Sequence, residues 1–142
     1  MNIYFAGSIR GGREDVKIYQ EIVAFLKTKG TVLTEHITLE SIHDMGEDDK
    51  TEEFIYKRDI DWLEQSDIVV AEVTQPSLGV GYELAYAESK KIPVICLFRE
   101  NSGNHLSAMI KGDSYFKVIK YTDIKEVITV LPSYMVIPQE VV

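Results

Sequence analysis

A chain of 142 residues with a hydrophobic fraction of 45%, a charged fraction of 27% and four prolines has the size of one domain, burying about 70% of its unfolded surface. Its net charge of −8 excludes a nucleic-acid polymer as partner, which would demand many Lys and Arg contacts to phosphates, but permits one small anion held by backbone N–H groups. No run approaches the ~18 apolar residues of a membrane span, and MNIYFAG lacks the basic start and long apolar core of a signal peptide; the expected setting is cytoplasmic, or nuclear in a eukaryote, with no membrane partner.

The first apolar run, NIYFA (2–6), reads as a buried strand, and Gly7 to Gly12 then place three glycines around Ser8 and Arg10. In REDVKIYQEIVAFLKTKG, Tyr19, Ile22, Val23 and Leu26 recur at i, i+3, i+4 and i+7, which predicts a helix with Gly30 as its C-terminal stop. TVL (31–33) is a short strand, and TEEFIYKRDIDWLEQS a helix with Ile55, Trp62 and Leu63 on one stripe. DIVVAEV (67–73) is the next strand, followed by the loop TQPSLGVG and a helix from GYELAYAESKK, whose Lys90 and Lys91 suit a C-terminus. PVICLF (93–98) is a strand that encloses the lone cysteine, Cys96, as a core thiol. After the polar loop RENSGNHLSAMIKG, with a short helical start near Ser107 and Met109, come the strand YFKVIKY (115–121) and the helix TDIKEVITVL; residues 132–142 form a tail with no assignable pattern. Five strands alternating with helices predict an α/β fold, a single doubly wound, Rossmann-like domain over 1–142 with a five-stranded parallel sheet flanked by helices.

In open sheets of this kind ligands bind beyond the carboxyl ends of the strands, at the reversal in strand order, so three loops matter. The first, GSIRGGRED, is neither a dinucleotide fingerprint nor a Walker loop; it is a tight turn or a phosphate cradle reinforced by Ser8 and Arg10. The second, TQPSLGVG, has Gly79 and Gly81 for close approach, Ser77 for a hydroxyl, and Glu83 in the expected first turn of the next helix. There the acid either answers the macrodipole or is kept ionised by it, as a nucleophile must be. In the third loop, Ser107 is a helix cap or a phosphate donor.

Asp59 lies at i+4 from Ile55 and i−3 from Trp62, inside the apolar stripe rather than on the face of Glu52, Lys57 and Asp61. A carboxylate there must be capped, paired with Arg58 or Arg10, or put to use, and burial favours its protonated form. If the Asp59 face meets Glu83, the chain has one charged and one protonated acid, the equipment for cleaving a bond at an anomeric carbon. Tyr4, on the first strand, points either into the core or toward the sheet end, where its phenol could orient a carboxylate. His36 and His105 are too isolated for a metal site, so no metal or other cofactor is expected.

The segments YFAGSIRGGRED, GTVLTEH, DIDWLEQSDIVVAEVTQPSLGVGYELAYA and CLFRENSGNHLSAMIKG closely resemble the 2'-deoxynucleoside 5'-monophosphate N-glycosidases (the Rcl proteins) of the nucleoside 2-deoxyribosyltransferase superfamily. The likeness covers about the first 120 residues and omits the tail and most of LESIHDMGEDDKTEE. It implies that Glu83 is the nucleophile, Asp59 the general acid and Tyr4 the holder of the nucleophile. It further implies that Ser8, Ile9, Arg10 and Gly11 surround the 5'-phosphate and sugar, with Ser77 and Gly79 as further phosphate contacts and His36 on the base side. Ser107 and Met109 would come from the other subunit of a homodimer with shared active sites. The implied reaction releases free base and 2-deoxyribose 5-phosphate through a covalent glycosyl-enzyme intermediate. Rival expectations are a nucleoside 2-deoxyribosyltransferase, a CMP-type ribonucleotide N-glycosidase and, outside catalysis, a nucleotide-binding module.

Overall fold

The computed structural model describes residues 1–9, 15–38 and 49–136. Five parallel strands, β1 (Asn2–Gly7), β2 (Thr31–Val32), β3 (Ile68–Glu72), β4 (Val94–Arg99) and β5 (Lys117–Tyr121), form one sheet in the order β2-β1-β3-β4-β5. β1 pairs with β3 from Ile3 opposite Ile68 to Gly7 opposite Glu72. This order reverses at β1 and β3, which opens a crevice between the loops that follow those two strands. Thr34 lengthens the short β2 edge, its hydroxyl accepting from the Phe5 N–H at 2.9 Å and donating to the Phe5 carbonyl at 2.6 Å.

Alternation along the strands divides the core in two. Ile3, Phe5, Ile68 and Val70 face helices α1 (Val16–Leu26) and α5 (Ile124–Tyr134), while Tyr4, Ala6, Val69 and Ala71 face α2 (Glu52–Gln65) and α3 (Leu78–Ser89). The expected stripe of Tyr19, Ile22, Val23 and Leu26 is buried against the first face. Cys96 is buried on the second, and that burial pushes its thiol up to about 12, as an unreactive core cysteine requires.

Three boundaries differ from expectation. α1 ends at Leu26, and Gly30 is not its left-handed cap: a Cβ there would stand 2.3 Å from the Met1 carbonyl oxygen, so Gly30 is needed for close packing against the first strand. α3 starts at Leu78, three residues before Gly81, because the Ser77 side chain accepts from the Val80 N–H at 3.2 Å and caps the helix. α5 continues through Pro132 to Tyr134, where few helical bonds remain to be lost, and Met135 behind it is buried in the core. The supposed tail therefore begins as helix, and 137–142 lie outside the described residues. A short helix, α4 (Ala108–Lys111), follows Ser107, whose hydroxyl accepts from the Met109 N–H at 3.3 Å. No helix among the described residues is long and apolar enough to cross a membrane.

Candidate active site

A cavity of about 550 Å³ opens at the β1/β3 switch point. β1 contributes Tyr4 and Ala6, its following loop Ile9, α2 contributes Ile55, Arg58 and Asp59, and the cap and first turns of α3 contribute Ser77, Gly79 and Glu83. Thr34 and His36, from the segment after β2, close one side. Tyr4, Ile9, His36, Asp59, Ser77, Gly79 and Glu83 are thus brought to the wall of one cavity. Ser8 is fully buried and does not line it; its N–H donates to the Tyr19 hydroxyl at 3.1 Å, fixing the loop from beneath. Ser107 and Met109 stand away from it on exposed surface, Met109 at 82% exposure. Arg10 and Gly11 lie outside the described residues.

The early start of α3 changes the status of Glu83. It is the sixth residue of the helix, in the second turn, where the macrodipole field has faded, and no acid occupies the first turn. The explanation of Glu83 as a dipole-answering acid falls with that boundary. So does the expectation that the helix keeps it charged: burial pushes the Glu83 carboxyl up to about 7, with the negative charge of Asp59 adding to the rise, while a hydrogen bond from Tyr4 and the Arg58 charge oppose it. Tyr4, 2% exposed, is held firmly protonated by its own burial and by the charges of Glu83 and Asp59, so its hydroxyl remains a donor to Glu83.

Asp59 sits on the inward stripe of α2 as expected. Its Oδ1 accepts from Arg58 Nε at 3.0 Å. Arg58 is itself clamped, its guanidinium lying 4.9 Å from the Trp62 ring centre and 5.7 Å from that of Phe54. Its Nη2 is 3.2 Å from His36 Nε2, and the His36 ring packs on Trp62 at 5.5 Å. Since guanidinium only donates, His36 accepts through Nε2. Burial in the unliganded cavity thus disfavours the charge of Glu83, the acid expected to carry it. Sequence reading valued Arg58 only as a salt-bridge partner, yet Phe54, Arg58 and Trp62 stand at i, i+4 and i+8, a spacing that predicts the stack.

Both carboxylates also border a second, smaller cavity of about 230 Å³ between α2 and α3, with Tyr56, Ile60 and Tyr82 on its rim. Among the described residues no group of three or more His, Cys, Asp or Glu could hold a metal ion.

The nucleoside 2-deoxyribosyltransferase family model matches residues 3–117, which spans β1 to the first residue of β5 and contains both acids. The chain belongs to that family. Among its relatives, the 5-hydroxymethyl-dUMP N-hydrolase of Danio rerio is 56% identical over 126 residues, covering 89% of this chain and 88% of the relative. The 5-hydroxymethyl-dUMP N-hydrolase of Homo sapiens is 50% identical over 125 residues, covering 85% of this chain and 72% of the relative. A solved CMP N-glycosidase of Clostridium botulinum superposes with a TM-score of 0.66 at 17% identity, covering 95% of this chain and all of that one, and so shares the fold.

Proposed function

We propose that the chain hydrolyses the N-glycosidic bond of 2'-deoxynucleoside 5'-monophosphates, with 5-hydroxymethyl-dUMP, the substrate named for its relatives, as the first to test. The observation that carries this reading is the meeting of Glu83, Asp59 and Tyr4 on one cavity at the switch point. Supporting it, Gly79 and Gly81 sit in the opening turns of α3 although each costs a helix about 1 kcal/mol relative to alanine. Among the described residues nothing demands them: a Cβ at Gly79 would approach only Ser77 Oγ, at 3.9 Å, and one at Gly81 none of them within 4 Å. Gly79 borders the cavity, so its missing side chain leaves room for a phosphate at the capped end of α3.

In the proposed reaction, ionised Glu83 attacks C1' of the sugar. The C1'–N bond breaks, its electron pair leaves with the base, and Asp59 supplies the proton that the base takes up. Water then adds to C1' as the Glu83 ester bond breaks, Asp59 receives the proton of that water, and 2-deoxyribose 5-phosphate departs. The productive complex therefore needs one proton on Asp59 and none on Glu83, whereas burial in the empty cavity disfavours the charge of Glu83. Bringing the substrate's sugar between the acids has to leave Glu83 charged, and the charge of Asp59, which adds to the rise of Glu83, couples the two carboxyls. Tyr4 steadies the nucleophile as its charge is spent.

The exposed positions of Ser107 and Met109 fit a homodimer in which each subunit completes the other's cavity. Leu78, 97% exposed beside the cavity, and Tyr82 on the rim of its neighbour are apolar surface that such a contact would cover. Chromatography of free base from a panel of deoxynucleoside monophosphates, matched ribonucleotides and unphosphorylated deoxynucleosides tests the proposal. Base release from monophosphates, lost in Glu83→Ala, is the expected result. Transfer of sugar from an unphosphorylated nucleoside to an acceptor base, or unchanged hydrolysis by Glu83→Ala, refutes it.

A further inference from the structure

On the opposite face of the sheet from the two acids, a buried polar cluster sits at the carboxyl ends of β3, β4 and β5, and the proposed reaction does not use it. Glu72, the last residue of β3, is fully buried. It accepts from the Thr74 N–H at 2.6 Å, from the Thr74 hydroxyl at 3.0 Å, and from the hydroxyl of Tyr121 on β5. Thr74, also fully buried, is held from two more directions: its hydroxyl accepts from the Arg99 N–H of β4 at 2.9 Å, and its carbonyl accepts from the side-chain amide of Asn104 at 2.9 Å.

Every polar atom of Thr74 is therefore committed, and two residues further along the chain Pro76 and Ser77 enter the wall of the cavity. A buried carboxylate is costly to keep at a strand end unless it accomplishes something that an apolar residue would not. Here it fixes where the chain leaves the sheet. The same cluster reaches the loop after β1, since Arg99 Nη2 donates to Asp15 Oδ1 at 3.0 Å and Asp15 is the residue before α1. One knot thus ties the start of the loop after β3 to Asp15, the residue that leads into α1.

We infer that Thr74, gripped by Glu72, is a positioning residue that sets the height of the Ser77–Gly79 turn for the substrate's 5'-phosphate. The inference rests on the functional reading above, because it needs a phosphate at that turn. Misplacing an anion-holding turn by a fraction of an ångström weakens charge-assisted bonds without touching the acids at C1'.

The test compares the parent with Thr74→Val, which keeps the shape and deletes the hydroxyl, and with Thr74→Ser, which restores it. Steady-state hydrolysis is measured for a deoxynucleoside 5'-monophosphate and for the same nucleoside without phosphate. Thr74→Val should raise KM for the monophosphate about tenfold with kcat within about twofold, leave kcat/KM for the unphosphorylated nucleoside unchanged, and be rescued by Thr74→Ser. Asn104→Ala, on a half-exposed residue and gentler on folding, should shift KM in the same direction by about threefold. Parent-like constants in both variants, or equal losses on both substrates, would overturn the inference while leaving the functional reading intact. A parent enzyme indifferent to the phosphate would overturn the functional reading first, and this inference with it.

Discussion

Replacing Glu83 by glutamine should make the protein more stable as it makes it inactive, and the gain should depend on pH in a defined sense. The folded carboxyl titrates near 7 against an ordinary value of 4.5, chiefly because burial disfavours its charge. Below pH 4.5 both folded and unfolded chains hold the proton and the residue costs nothing. Between 4.5 and about 7 the unfolded chain ionises first, so stability falls as pH rises, and above 7 the full penalty is present. The shift converts to about 3 kcal/mol, reduced toward 1 kcal/mol where water in the open cavity relieves the charge. Glutamine still accepts from Tyr4 and carries no charge, so it removes that penalty. At an unfolding entropy of about 2.1 cal/mol/K per residue, the Tm of Glu83→Gln should exceed that of the parent by roughly 3–10 °C near pH 8 and converge with it near pH 4.5. Thermal melts of both proteins across that range decide the matter. A difference that stays constant with pH, or a variant less stable than its parent at pH 8, would refute the assignment of Glu83 as a carboxylate held against its own preference.

Removing the Tyr4 hydroxyl with Tyr4→Phe deletes a bond that holds the Glu83 value down, so the rising limb of kcat/KM against pH should move above 7 and the rate at neutral pH fall about tenfold. Arg58→Gln removes an opposing charge and leaves Asp59 without its guanidinium; the same limb should shift upward, with about 1 kcal/mol of stability lost in denaturant titration as the Trp62 stack disappears. Gly79→Ala should stabilise α3 by about 0.5–1 kcal/mol in thermal melts yet raise KM for the monophosphate, since its methyl group enters the cavity wall. Gly7→Ala should instead destabilise the fold by about 1–3 kcal/mol, because its Cβ would stand 2.9 Å from the Tyr19 ring.

The sheet was legible because parallel strands buried on both faces leave apolar runs such as DIVVAEV and PVICLF, and the α1 stripe repeats with helical period. Asp59 could be found because it interrupts a stripe. The start of α3 was harder to place: Ser77 is a strong cap, but Gly79 and Gly81 make the following turn look like loop, and propensity weighed more than the cap. That displacement of three residues transferred Glu83 from the first turn to the second and reversed the account of its charge. The Glu72 knot was not legible in the sequence either, since the acid inside VVAEV takes one donor from Tyr121 of β5, and Thr74 is held by Arg99 of β4, both far along the chain.

The two faces of β3 and its neighbours show how the site is divided. On one, Glu83 and Asp59 converge on the cavity, and burial disfavours the charge of Glu83. On the other, Glu72 is buried more completely, its carboxyl likewise raised by burial, but Tyr121 and Thr74 surround it with donors that offset the rise and leave it no room for a ligand. The difference between a reactive acid and a structural one is thus the number of committed donors rather than depth. Glu83 has Tyr4 and an open cavity before it, so the free energy that its charge lacks in the empty protein is available to be gained when an electron-poor C1' arrives.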